Sequence, residues 1–112
     1  VTDLVVRSER VVLPGIGRSE SARRAARVQP ATIHIRDGRI MRVSSYDDLP
    51  AGVAMRDSGA LMVLPGFVDT HVHMNDPGRA EWEGAEHATA AAAAGGITTV
   101  VDMPLNSVPA TT

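Results

Sequence analysis

The sequence predicts an α/β fold preceded by a small all-β segment. Three observations predict it. The stretch "ATIHIRDGRIMRVSS" (31–45) alternates apolar and polar residues up to Asp37-Gly38, a favoured tight-turn pair, and reads as a hairpin. The stretch "EWEGAEHATAAAAAGG" (81–96) is dominated by alanine, the best helix former, and stops at two glycines. β-Branched runs flank that helix in "FVDTHVHM" and "ITTVVDMP", and strand, helix, strand with short connections is a right-handed parallel unit.

Composition sets the outer limits. A chain of 112 residues suffices for one small domain with a modest core. The net charge of −2 gives no support for a nucleic-acid partner. There is no cysteine, which excludes a disulfide framework and a thiolate metal site. Any metal must be held by His, Asp or Glu. All 11 basic residues are arginine. No apolar run is long enough to span a bilayer and no charged-then-apolar leader is visible, so the expectation is a cytoplasmic protein without a membrane partner.

In chain order, "TDLVVRSERVVL" carries strand-forming runs at Leu4–Val6 and Val11–Leu13. Residues 14–30, bounded by Pro14 and Pro30 and rich in Gly, Ser, Arg and Ala, read as a surface insertion; a basic binding loop is the alternative. In the hairpin, His34 shares a face with Arg36 and is expected to be wet. "YDDLPAG" is a loop, and "AMRDSGALMVLPG" is strand, turn, strand. In the helix, Glu81 and Glu83 are expected in the first turn, where they suit the dipole. His87 follows Glu83 by four residues and is expected to pair with it on the surface. Trp82 is expected in the core, on one side with Ala85, Ala88, Thr89, Ala92 and Ala93.

The chemistry concentrates in "VDTHVHMNDPGR" (68–79). Alternate residues of a strand share a face, so Asp69, His71 and His73 are expected to point one way. Same-face neighbours lie roughly 6.6–7 Å apart. Two imidazoles at that spacing can tilt toward one ion about 2.0–2.1 Å from each nitrogen. A spacer of two residues would send the rings to opposite faces. Ligands of parallel α/β folds sit at the carboxyl ends of strands, where this pair falls. His-x-His alone is a weak signal, and a chance pair on an ordinary strand is the alternative. Asp69, one step deeper, reads as a hydrogen-bond acceptor or anchor for the pair. Asp102 ends the second strand and reads equally as a strand-end carboxylate or as support for the site.

The run "LPGFVDTHVHMNDPGR…WEG…ATAAAAAGGITTVVDMPLNSVPATT" resembles the cyclic amidohydrolases, the group of dihydroorotases, hydantoinases and allantoinases, and within it the allantoinase branch most of all. The motifs "PG-x-VD-x-H-x-H", "DPGR", "WEG", "GGITT" and "DMPLNS-x-P" occur in order from about Leu64 onward. Upstream, "ATIHIRDGRI" resembles the hairpin that precedes the barrel in this group, and the insertion at 14–30 departs from the group's short connection.

The resemblance implies the start of a TIM (β/α)8 barrel preceded by part of a small β-sandwich. Residues 1–63 would be the sandwich segment and 64–112 the first strand, helix and strand of the hydrolase domain. It implies His71 and His73 as metal ligands. It also implies two divalent ions, usually zinc, bridged by a carboxylated lysine that this chain lacks. The metal would lower the pKa of a water and polarise a ring amide carbonyl, and a later aspartate would move the proton. No catalytic residue is expected within these 112 residues.

Dihydroorotases of the group carry an arginine two residues after the second histidine, where this chain has Asn75. A neutral amide does not replace a bidentate guanidinium, which favours a substrate without a carboxylate, such as allantoin. Asn106 reads equally as a substrate contact or as a turn amide beside Pro104 and Pro109.

A barrel needs on the order of 250 residues. The expectation is therefore the amino-terminal portion of a hydrolase that opens a cyclic ureide and associates with copies of itself when complete. The chain alone should bind metal weakly and turn nothing over. A hydantoinase- or dihydroorotase-like hydrolase, or a non-catalytic β-rich module, are the alternatives.

Overall fold

The two strand-forming runs near the start join into one strand, β1 (Asp3–Leu13), in the computed structural model, which describes residues 3–15, 19–21 and 25–103. β1 pairs antiparallel with β2 (Arg27–Arg36), and the register slips between Ser8 and Val11. The slip is what lets one strand serve both runs: a bulge adds a residue and bends the strand. Ser8 sits at it, fully buried, and its hydroxyl replaces the lost ladder bonds. The hydroxyl donates to the Leu61 carbonyl at 2.5 Å and accepts the Arg10 N–H at 2.9 Å.

The expected hairpin is present. β2 turns into β3 (Arg39–Ser44) through Asp37 (φ 49°) and Gly38 (φ 74°), the paired positive φ values of a two-residue turn that follows the strand twist. β4 (Ala54–Asp57) and β5 (Met62–Val63) both lie parallel to β1 on its other side. The sheet is mixed, ordered β3-β2-β1-β4 with β5 also on β1. β1 is thus central, and Val5, Val11 and Ala31 form the buried apolar core. Buried Thr32 donates its hydroxyl to the Tyr46 carbonyl at 2.8 Å.

Arginines fasten the rim. Arg7 meets Asp57 at 2.7 Å and lies 4.5 Å from the centre of the Tyr46 ring; Arg36 meets Asp3 at 3.0 Å and Arg42 meets Asp48 at 2.5 Å. The Gly59 amide, and then Arg7, hold the Asp57 carboxyl below the usual carboxylate range, and Arg42 does the same for Asp48.

Two expectations fail in this unit. The insertion is shorter than 14–30, because Arg27–Pro30 already belong to β2 and Gln29 to Arg27 pair with Val11 to Leu13. His34 is not wet: its side chain is 12% exposed. β2 is an interior strand, and the segment after β3 brings Asp48 within 3.6 Å of His34 Nε2, with Ser44 Oγ at 2.9 Å.

The chain divides into two compact units, Val1–Pro65 and Gly66–Thr112. In the second, β6 (Phe67–Val72) and β7 (Ile97–Asp102) pair in parallel and α1 (Gly84–Ala94) connects them, as the strand–helix–strand pattern predicts. Gly95 ends the helix and Gly96 (φ 78°) takes the left-handed turn that sends the chain into β7. Gly66 is needed for space: a Cβ there would lie 2.2 Å from Thr98 Cγ2. Among the described residues, no helix is long and apolar enough to cross a membrane.

The helix itself starts later than expected. Its first residue is Gly84, so Glu81 and Glu83 precede it and Glu86 is the acidic residue of the first turn. His87 Nδ1 lies 3.1 Å from the Glu83 carbonyl oxygen, a main-chain partner in place of the expected carboxylate. Trp82, expected in the core, is 67% exposed, because it falls in the turn before the helix. The Arg79 guanidinium stacks 4.8 Å from its ring centre.

Candidate metal centre

β6 carries the histidine pair out of the sheet. The strand ends at Val72, so His71 is its penultimate residue and His73 lies just beyond, earlier than the expected end at Met74. Both side chains are exposed. The ring centres stand 5.2 Å apart, edge to face at 77°.

The regular ladder expected through Asp69, His71 and His73 is interrupted. Between the pairs Asp69–Val100 and Val72–Asp102 the register slips, β6 spending three steps where β7 spends two. An extra residue reverses the facing of the residues after it. Residues on both sides of the slip, Asp69 before it and Val72, His73 and Met74 after it, line one cleft of about 210 Å³ beside α1, with Ala88 and Ile97. The Asp69 carboxylate turns back on the slipped segment, where Oδ1 accepts the His71 N–H at 3.1 Å. The two rings come together where the chain leaves the sheet, His71 inside β6 and His73 just beyond it.

The other residues singled out in the sequence act on the main chain next to the pair. Asp102 Oδ1 accepts the N–H of Met74 at 2.9 Å. The Met103 N–H donates to the Val72 carbonyl at 2.8 Å, and the Gly84 N–H to the Met74 carbonyl at 3.2 Å. Asn75 takes a left-handed conformation (φ 58°), which asparagine tolerates better than most residues, and its Nδ2 donates to the His73 carbonyl at 3.1 Å. Asn75 therefore has a conformational role whatever else it does. Asn106 lies outside the described residues.

Asp76 is a residue that sequence reasoning missed. Its Oδ2 accepts the Ala85 N–H at 3.1 Å and caps α1, which has no cap from its own N-cap side chain. The capping signature is a local one, with the acceptor two or three residues from the donor. A cap reaching across nine residues leaves no such mark.

The distance between the ring centres suits a shared ion. With metal–nitrogen distances of about 2.0–2.1 Å and tetrahedral angles, two imidazole centres on one ion stand about 5 Å apart. The rings stand at that distance without rearrangement. Among the described residues no group of three His, Cys, Asp or Glu side chains is placed to hold a metal, so the described residues offer two ligands and not a full set.

Residues 62–111, which include both histidines, match the amidohydrolase family. The chain is 52% identical over 111 residues to the allantoinase of Streptomyces avermitilis, covering 98% of this chain and 22% of that protein. It is 45% identical over 109 residues to the mitochondrial allantoinase of Aquarana catesbeiana, covering 96% and 20%. The chain thus spans about a fifth of the length of these relatives. Among solved structures it is similar to the L-hydantoinase (dihydropyrimidinase) from Arthrobacter aurescens. That match has a TM-score of 0.70 and 30% identity, over 100% of this chain and 23% of that one.

Proposed function

We propose that this chain supplies the first metal-binding strand of an allantoinase-like hydrolase, which opens the ring amide of a cyclic ureide. The observation that carries the reading is the His71–His73 pair, 5.2 Å between ring centres at the carboxyl end of β6, inside the family segment. In this reading β6, α1 and β7 are the first strand, helix and strand of a (β/α)8 barrel, and the mixed sheet of β1 to β5 is part of a small β-sandwich. The pair sits where such barrels place their chemistry, at the carboxyl ends of the strands.

His71 and His73 would hold a divalent ion, zinc by preference, through ring nitrogens. The ion supplies a water of lowered pKa and a polarised carbonyl when bound. The chain has no lysine, so a bridging lysine carboxylate has no source among these 112 residues. Asn75 presents no cation to a substrate carboxylate, which supports a neutral ureide over dihydroorotate. The likeness to a hydantoinase supports a second reading, a ring-opening hydrolase of hydantoins.

The test has two arms. Zinc content of the full chain is measured for the wild type and for His71→Ala with His73→Ala. The reading expects loss of zinc in the double variant, and unchanged zinc would overturn it. The complete protein carrying this chain is then assayed on allantoin, hydantoin and dihydroorotate. Turnover of allantoin above the other two is expected, and preference for hydantoin would install the second reading.

A further inference from the structure

The main chain on either side of the histidine pair is gripped by carboxylates from different places. Asp69 Oδ1 accepts the His71 N–H where the β6–β7 register slips, a position at which the ladder offers no regular partner. Asp102 Oδ1, at the end of β7, accepts the Met74 N–H, one residue past His73 and beyond the end of β6. Main-chain groups that lose ladder partners need others, and a carboxylate is a strong acceptor for an N–H. The carbonyls nearby are tied as well, Val72 to Met103, His73 to the Asn75 side chain and Met74 to Gly84. The segment Val72–Met74 is thus fastened to both the end of β7 and the start of α1.

We propose that Asp69 and Asp102 are positioning residues that set the spacing of the His71 and His73 rings by holding main-chain N–H groups at either end of the pair. The reasoning is geometric. The two rings leave a chain that has slipped register and is quitting its strand, so nothing in regular sheet geometry fixes the distance between their Cβ atoms. The two hydrogen bonds fix it. The proposal rests on the metal-binding reading above, because ring spacing matters only if the rings share a ligand.

A carboxylate and a carboxamide both keep an oxygen acceptor, whereas alanine keeps none. The experiment therefore compares Asp102→Asn with Asp102→Ala, and likewise at Asp69, in the full chain. Zinc affinity is read by competition with a chelator, and exchange of the His71 and Met74 amides by NMR. Asp102→Ala should weaken zinc binding about 10- to 100-fold, the usual range for partners that orient metal ligands, and speed Met74 exchange. Asp102→Asn should stay near the wild type in both. Equal loss of affinity in the two variants would overturn the proposal, since charge and not the hydrogen bond would then matter. If Asp102→Ala does not fold, Asp102→Asn decides: weakened zinc binding with Met74 still protected would overturn it. His73→Ala serves as the reference. Should His73→Ala leave zinc unchanged, the metal reading itself fails. Should it lose zinc while Asp102→Ala binds like the wild type, only the positioning role fails.

Discussion

The unit Val1–Pro65 keeps Val5, Ser8, Val11, Ala31 and Thr32 buried around a strand paired on both sides, whereas in Gly66–Thr112 Gly84 is the one fully buried residue among those described. Phe67, Val68, Trp82 and Val101 of the second unit are 45–67% exposed. Two parallel strands and one helix cannot cover both faces of their own sheet, and parallel sheets are normally covered on both. The first unit is shaped by burial around β1. The second is shaped by directed hydrogen bonds, several of them to the main chain around the histidines, and the small side chains of α1 let it lie against β7. The comparison teaches that a pair of histidines can be held by local polar contacts before any large core surrounds it.

That contrast can be broken at several points. The largest expected effect is at the start of β6. Gly66→Ala places a Cβ against the whole Thr98 side chain, 2.7 Å from its own Cβ, and should cost about 3 kcal/mol, the upper end of overpacking costs. Thr98→Gly in the same chain should recover part of it, read as a coupling energy in urea unfolding. An additive pair of changes would show that the two strands do not meet there.

Ser8→Ala tests the first unit. It strands the Arg10 N–H and the Leu61 carbonyl at a buried register slip, and should cost about 1–2 kcal/mol in the same measurement. A neutral result would mean that the slip relaxes without its hydroxyl.

Acid should act on the first unit more gently. Asp48 and Asp57 have lowered pKa values in the folded chain, so the unfolded chain binds protons first as the pH falls. Their contribution is complete above the ordinary carboxylate range and is lost as the pH drops through the lowered values. The urea midpoint should therefore fall between neutral pH and about pH 3, and fall less in Asp48→Asn with Asp57→Asn. An equal fall in that variant would put the acid sensitivity elsewhere.

Trp82→Ala should have the smallest effect. Trp82 is 67% exposed, and its contact is a stacked Arg79 that is exposed too, so the cost should lie below about 0.5 kcal/mol. A loss of several kcal/mol would mean that the second unit does keep an aromatic core.

What the sequence determined by itself is what depends on neighbours along the chain. The Asp37-Gly38 turn demands positive φ at two successive residues, and few pairs other than Asn-Gly or Asp-Gly supply it. The alanine run and Gly95-Gly96 set the body and end of α1 in the same local way. The one-residue spacer of His-x-His kept two imidazoles near one another along the chain. What only the tertiary structure decided depends on residues far apart in sequence. The burial of His34 needs Asp48 and an interior β2; the late start of α1 is capped by Asp76, nine residues before its donor. The slip after Asp69 is a property of two strands in register, and a single strand's pattern of residues carries no sign of it. Period and propensity act over one or two turns of chain. Register, remote caps and burial are settled only when separate segments compete for the same hydrogen bonds and the same space.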